Sequence, residues 1–521
     1  MLQSILRAVA PQFAVRRMAA QMQLDMLSRQ SSAREKRSRL TRAVASYDGA
    51  TVGHRTEGRR IGSTSADREI WSSLIRLRNV HRELVRNNPY AARAVQVIAS
   101  NMVGGGITMS LKHKSKAKEK QLIDLIASHL LTTKIDYEGR HNIYGLQNLV
   151  SRTVAEAGEC LIVRRLPKSR KRLPVPFQVH VLEPDYLVPW INDGIRPASV
   201  PEGNIVVQGI EYDADGERVA YHLYKTHPGS LFRLFGQQVI RVPAEDVIHV
   251  YRQDRPGQSR GVPWGAPVIM TMWDLADFED AELMRQKIAA CFAVFWVDNN
   301  GNLKLSGHKE GEDEHAFRAD MLEPGMQQRL PPGVDVKFAT PPTTAGYPEY
   351  IRSMIRKIAI GYGIPYEALA GDLSQVNFSS GRMGWLEFQR TIAHWQQQML
   401  IPHMCVGIAN WFLSAAEFVV PGASQAQITH TEPRREMIDP TKEIPAMRDA
   451  IRAGLTSRSD ALRSMGEDPD MIDAENAADN KRADDLGLKY DSDGRFPVSA
   501  GLTPVSKDTA LPGDPKVQQN A

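Results

Sequence analysis

The sequence predicts an α+β protein with a large core and more than one domain. Three observations carry that expectation. In the first and last thirds of the chain, apolar residues recur at helical spacing. The middle third instead holds short runs of Val, Ile, Tyr and Phe cut by Pro, Gly and Asp, which is strand and turn chemistry. Across 521 residues, hydrophobic side chains make up 42% and charged ones 24%. That balance excludes a wholly disordered, collagenous or disulfide-stapled chain.

The elements follow in order. Residues 1–66 hold twelve Arg and Lys against four Asp and Glu, with a Gly/Ser/Thr-rich stretch after Gly49. They read as a basic, mostly disordered arm over 1–64 that contacts nucleic acid or an acidic partner, or simply stays solvated. Helical order is expected from Thr64, with Asp67 completing a cap. Ile70, Leu74, Leu77 and Leu84 share one face. Asn88 caps a second helix and Pro89 takes its first position, where no backbone donor is needed. Gly104-Gly105-Gly106 stops it. Helices are expected over 117–132 and 144–157. Strands are expected over 160–165, 177–183, 204–213, 218–224, 238–241 and 246–251, with Asp213-Ala-Asp-Gly216 turning a hairpin. Helical spacing returns over 268–289. Two strands, 293–298 and 334–339, flank a polar loop. Helices over 348–362, 383–417, 441–453, 457–465 and 471–486 complete the chain, and 491–521 reads as a disordered tail. Pro402 should kink the 383–417 helix, because it removes a backbone donor and crowds the preceding turn.

Net charge is only +5, so any nucleic-acid contact must come from the distribution of charge. Cys160, Cys291 and Cys405 form no CxxC pair, which argues against zinc and disulfides and suits a reducing compartment such as bacterial cytosol. The longest apolar run, 288–297, is ten residues, against about twenty needed to span a bilayer. No membrane partner is expected, and the N-terminus lacks the pattern of a secretory signal.

Catalytic signatures are missing: there is no GxxxxGK[ST], GxSxG or HExxH. No catalytic residue, cofactor or metal is expected. His308 and His315 sit in an acidic loop without a second ligand pair. Asp274, Asp277, Glu279, Asp280 and Glu282 lie on one helix, whereas two-metal sites draw ligands from several elements. A hydrated acidic surface explains them more simply. Two basic clusters, Lys112 to Lys120 and Arg164 to Arg172, are candidates for phosphate contact or for plain solubility. Neither is interleaved with aromatics for base stacking.

Five segments carry a resemblance: RNNPYAARAV (86–95), RPGQSRGVPWGAPV (255–268), the stretch 358–390 containing GDLSQVNFSSGR, IDPTKEIPAMRDAIRAGLTSRSD (438–460) and GEDPD (466–470). In this order the chain resembles the lambda-type portal proteins of tailed bacteriophages. Phe378 departs from the pattern, where Tyr is expected.

The resemblance implies a dodecameric ring at one capsid vertex, a channel for double-stranded DNA during packaging and ejection. Implied partners are the terminase large subunit, the major capsid and scaffold proteins and a head-tail adaptor. It implies a portal fold with a helical stem, mixed α/β wing, small α/β clip and helical C-terminal crown. By order, the wing takes 65–265 and much of 383–435. The stem takes 266–289 and 347–363, the clip 290–346 and the crown 436–490. The tunnel loop takes 370–382, with Asp372, Ser374, Gln375, Asn377, Ser379, Ser380 and Arg382 touching DNA. Stem residues lining the channel or meeting neighbours are Asp274, Asp277, Asp280, Arg285, Lys287, Arg352, Ile355, Arg356 and Lys357. The resemblance places the protein in the virion, assembled in the bacterial cytoplasm. Two alternatives remain at this stage: a DNA-processing nuclease or terminase-like protein, and a non-channel head-tail scaffold.

Overall fold

The computed structural model describes residues 62–490 apart from 168–172, 193–194, 196, 231–237, 291–293, 299–333, 339–345, 435–436, 438 and 489, and isolated residues between 20 and 58. Over 288–298, 334–338 and at 378 only the backbone is described. His308, His315, Cys291 and the tail 491–521 lie outside the described residues. The chain divides into Met1–Thr64 and Ser65–Ala521. In the first unit, residues 20–24 and 26 are helical, a departure from the disordered reading. Met22, Leu24 and Met26 are exposed there.

In the second unit, α1 (Ala66–Trp71) is capped by Ser65, whose hydroxyl accepts from the Arg68 amide. The cap is therefore Ser65 and not Thr64, and Asp67 is engaged elsewhere. A break at Ser72-Ser73 separates α1 from α2 (Leu74–Asn87). Asn88 Oδ1 accepts from the Tyr90 and Ala91 amides at 3.0 and 3.2 Å and starts α3 (Pro89–Val103). Helix α3 packs along α5 (Ile143–Ala157), and both bury apolar stripes in the main core.

Between them the sequence reading missed a strand. β1 (Thr108–Lys112) pairs antiparallel with β11 (Gln427–Thr431). Lys116 to Lys120 lie on α4 (Lys116–Leu125), so the alternating lysines are not one loop. Helix α4 continues as a wider π turn over Ile126–Leu130.

β2 (Glu159–Arg165) is the centre of a three-stranded antiparallel sheet between β3 (Gln178–Leu182) and β8 (Val247–Tyr251). β4 (Ile205–Val207), β5 (Ile210–Tyr212), β6 (Arg218–Tyr224) and β7 (Val239–Pro243) form a four-stranded meander. The expected single strand 204–213 is in fact two. Gln208 and Gly209 take φ of 50° and 83°, which builds a two-residue hairpin turn. A Cβ on Gly209 would meet the Val188 carbonyl at 2.5 Å. Leu161, Val163, Leu182, Ile210, Tyr221 and Leu223 fill the space between the sheets.

α6 (Ile269–Ala290) leads to the antiparallel pair β9 (Val294–Asp298) and β10 (Val334–Phe338). α7 (Tyr347–Tyr362) returns along α6, and α8 (Tyr366–Ala370) follows. Next comes one continuous helix from Phe378 to Ala416: α9 (Phe378–Trp395), a π segment (Gln396–Cys405) and α10 (Val406–Ala416). Pro402 sits inside the π segment, where a widened ladder accommodates the missing donor. By length and composition, Ser379–Ala416 is a helix able to cross a membrane, which run-counting in the sequence did not reveal. Here Phe388, Ile392, Met399, Leu400, Met404 and Phe412 are buried in the main core. The chain ends in three short, mostly polar helices, α11 (Pro440–Arg452), α12 (Arg458–Ser464) and α13 (Pro469–Asp485). Ser457 caps α12 and Asp468 caps α13.

Candidate functional site

The segment 255–268 shapes the junction between the sheets and α6. Gln258 Oε1 accepts from the Asp254 and Arg255 amides at 2.9 and 3.2 Å, and its Nε2 donates to the Arg260 carbonyl at 2.8 Å. The Ser259 hydroxyl and amide donate to Asp67 at 2.6 and 2.8 Å, tying α1 to this loop. Gly261 lies against the Gly158 carbonyl, where a Cβ would sit 2.1 Å away. Trp264 is buried, packs at a 57° tilt with its ring 4.5 Å from that of Trp395 and carries the Arg252 guanidinium 4.7 Å above its ring.

Arg260 completes a network that the sequence reading missed. Glu159 is fully buried. Its carboxylate accepts from Arg78 (2.9 Å), from Arg260 (2.5 to 3.0 Å), from His249 Nε2 (3.0 Å) and from the Gly261 amide (2.9 Å). Burial alone would raise its pKa, but Arg260 and His249 overcome that and hold it far below the usual carboxylate range. Desolvation keeps His249 below its ordinary value, and hence neutral. A second buried carboxylate, Glu211, is held low by Arg241 and Asn204 against the same desolvation. The only local hint of this was an arginine inside a Pro/Gly-rich run, since the partners lie at positions 78, 159, 249 and 260. Glu183, Asp185 and His227 stand close enough to share a cation. Arg82 already bonds both carboxylates, at 3.1 and 2.6 Å, so their charge is compensated.

The stem candidates lie on α6 and α7. Phe278 of α6 packs on Tyr347 and Tyr350 of α7, with ring centroids 5.8 and 4.5 Å apart. At the other end of the pair, a Cβ on Gly361 would meet Val268 at 2.2 Å. Asp274, Asp277, Asp280 and Lys287 are exposed. Arg285 is bonded to Glu282 on its own helix. Arg356 and Lys357 are exposed, and Arg356 lies 5.3 Å over the Tyr366 ring. Arg352 is half-buried. Ile355 does not face outward: it is buried within the subunit's own core.

The loop after α8 is shorter than expected. Asn377 Oδ1 accepts from the Ser380 amide at 2.8 Å and starts α9 at Phe378. Ser379 and Ser380 therefore belong to the first turn of α9, and Arg382 to the second. Arg382 pairs with Glu443 at 3.5 Å. The loop proper is Gly371–Asn377. Its Asp372 accepts from the Ser374 amide at 3.0 Å and the Tyr366 hydroxyl at 3.1 Å; the Ser374 side chain, with those two bonds, keeps its carboxyl low. Ser374 and Gln375 are exposed.

Of the basic clusters, Lys112 pairs with Asp470 at 2.7 Å, and Lys118 donates to the Pro421 carbonyl at 2.7 Å. Arg164 pairs with Asp246, and Arg165 lies over Tyr137. Residues 168–172 lie outside the described residues.

The lambda-family profile of phage portal proteins matches residues 52–396. The chain belongs to that family. A probable portal protein of Halomonas phage phiHAP-1 is 27% identical, covering 86% of this chain and 88% of the relative. The portal protein of Escherichia phage N15 is 22% identical over 86% and 92%. Among solved structures, a chain in the neck of a native gene transfer agent particle, computed with C12 symmetry, has a TM-score of 0.43. It is 16% identical and covers 77% of this chain and 94% of its own. An HK97-family portal protein from Corynebacterium diphtheriae has a TM-score of 0.29 at 10% identity, over 71% and 97%. Portal proteins are structural and not catalytic, form oligomeric rings at the phage neck and provide the DNA channel between head and tail. That role replaces the nuclease and non-channel scaffold alternatives.

Proposed function

We propose that this portal protein assembles as a dodecamer at one vertex of the capsid, in the host cytoplasm, and passes double-stranded DNA through its axis. The terminase large subunit, the major capsid and scaffold proteins and a head-tail adaptor are its partners. One observation carries the reading most directly: an antiparallel helix pair, α6 and α7, runs into a short polar loop and then into a long core helix. The pair is the stem, β9 and β10 belong to the clip, and Gly371–Asn377 is the tunnel loop. Helices α1 to α5, the two sheets, the Phe378–Ala416 helix and β11 form the wing. Helices α11 to α13 form the crown.

The chemistry of the loop suits a sliding contact. Each Lys or Arg held on a phosphate adds a counterion-release contribution to affinity, and several at once would stall movement. The loop presents Ser374 and Gln375 and no cation. Arg382, the first base after the loop in sequence, is already paired with Glu443.

Negative-stain imaging of the purified full-length protein tests the reading. A closed ring with a central hole is expected. Monomers or open filaments only would overturn it, as would Mg²⁺- or Mn²⁺-dependent cleavage of a plasmid lost on Asp277→Asn/Asp280→Asn substitution.

A further inference from the structure

Part of the space between the two sheets is filled and part is open. Ile210 of β5 and Tyr221 of β6 stand opposite each other on the filled part of the inner face. One row on, Ile205, Tyr212 and Arg218 stand opposite one another across β4, β5 and β6. The register shifts between Glu211 and Tyr212, so β6 carries an extra residue there. That bulge decides where Arg218 points. In an unbroken strand, a residue three places from Tyr221 would face the other way. With Val207, and with Gln258 and Ser259 on the far wall, this row lines a cleft of about 500 Å³. Ile205 is 47% exposed. Two bonds tie the walls together: the Tyr212 hydroxyl donates to Ser259 Oγ at 3.0 Å, and the Tyr251 hydroxyl to the Gln258 carbonyl at 2.8 Å.

Arg218 is half-buried and donates to phenol oxygens, of Tyr251 at 2.6 Å and of Tyr221 at 3.4 Å. Among the described residues, no carboxylate lies within ion-pair distance of it. The deeper arginines differ: Arg78 and Arg260 close on Glu159, and Arg241 on Glu211. Withdrawing a guanidinium from water without a counter-charge is costly, and its planar fork of N–H donors matches a carboxylate. Asp213, Asp215 and Glu217 flank Arg218 in the hairpin turn, and Asp213 lines the cleft itself. These acids repel a dianion or a run of phosphates and leave room for one negative charge beside one cation. We propose that the cleft binds a carboxylate carried on an apolar body. Arg218 holds the carboxylate, and Ile205, Val207 and the Tyr212 ring take the body. The volume lies within the range of roughly 300–1,000 Å³ usual for small-ligand sites, so the cleft holds more than a bare ion. A free apolar acid and a Glu or Asp side chain on a polypeptide present the same group. The site is separate from the helix pair and the loop assigned to DNA, and the proposal does not depend on that assignment.

Fluorine NMR of fluorophenylacetate with the full-length protein tests this. The line should broaden with wild type, and that of the uncharged fluorophenylacetamide should not. Arg218→Gln should weaken binding at least about tenfold, through loss of a charge-assisted pair. Asp213 accepts from the Asp215 and Glu217 amides at 3.0 and 2.8 Å. Asp213→Asn keeps that acceptor and should tighten binding a few-fold by removing a like charge. Ala214 lines the cleft from the exposed rim. Ala214→Trp should therefore weaken binding while leaving Arg218 and the core in place, which separates a lost site from a misfolded one. Inorganic phosphate at equal concentration should not displace the probe. Displacement by a blocked tripeptide with Glu between two leucines, and not by its Gln counterpart, assigns the carboxylate to a polypeptide. Displacement by neither assigns it to a free acid. No broadening with wild type would overturn the proposal. So would equal broadening of the amide, unchanged binding in Arg218→Gln, or displacement by phosphate or by the Gln peptide.

Discussion

Around Glu159, two guanidinium groups, an imidazole and a backbone amide converge on one carboxylate that water does not reach. Removing that charge leaves Arg260 buried without a carboxylate and Arg78 with only Asp185, at 3.6 Å. Glu159→Gln should cost about 3–5 kcal/mol in chemical denaturation. Glu159 itself contributes no pH slope near neutrality: its folded pKa lies below the unfolded value, so its stabilisation is present above about pH 4.5 and lost only as pH falls further. The slope in the mild acid range comes from histidine. His129 is buried beside Phe177, with ring centroids 5.3 Å apart, and neither ring nitrogen has a hydrogen-bond partner. Burial pushes it down to about 4; the Phe177 backbone, which opposes that shift, lies outside hydrogen-bonding geometry. Below the unfolded value of 6.5 the unfolded chain takes the proton first. Stability is therefore full above pH 6.5 and lost as pH falls through 4, by about 2 kcal/mol at pH 5. Denaturation of His129→Leu at pH 7 and pH 5 should show that much less acid loss than wild type. An equal loss would mean that this imidazole is not the group titrating.

At the level of elements, α7 is held to α2 and α5 by a short chain of contacts. His81 Nδ1 lies 2.6 Å from the Glu156 carbonyl, so it carries the proton, and Nε2 accepts from the Tyr362 hydroxyl at 2.6 Å. Gly265 fits beneath them: a Cβ there would lie 2.3 Å from His81 and 2.4 Å from Tyr362. Gly265→Ala must displace one of them and should cost about 1–3 kcal/mol in thermal or chemical unfolding. Tyr362→Phe, which only removes the hydroxyl, should cost about 1–2 kcal/mol. Lys at Ile355 would bury an unpaired charge in the subunit's own core, so it would damage folding before it reported on rings. Most elements were legible because their signals are local: periodicity for α5, turn residues for the β5–β6 hairpin, Asn-Pro for the start of α3. β1 was not, because its lysine-rich surroundings read as loop and its partner β11 is far away in sequence. The π segment was not, because Pro402 announces a disruption without saying how the ladder adapts. Asn377 was read as part of a loop, although Asn three residues before Ser380 is also cap chemistry.

For the whole molecule, five short motifs pointed to the family. The structure explains one of them, 255–268, as close packing and buried charge at the junction between the sheets and α6. Contacts of α6, α7 and the Gly371–Asn377 loop outside the subunit leave no local signal in the sequence. Deleting Ser374–Val376 spares the Asn377 cap and should leave rings intact while lowering the DNA packaged or retained per particle. Normal packaging and full genome retention in that variant would remove the loop from any role in gripping DNA.

The pairing of β1 with β11 also has a consequence for synthesis. Roughly 320 residues separate the partners. At about 5–20 residues per second, the ribosome takes roughly 15–65 s to deliver the second strand after the first. Through that interval β1 presents an open edge, with its backbone donors and acceptors unpaired. Chains translated side by side on one message carry the same edge and, further along, the same missing strand. Exchange of β11 between neighbouring nascent chains is therefore the misassembly this topology favours, and a producing cell must outpace it or mask β1 until residue 431 has emerged.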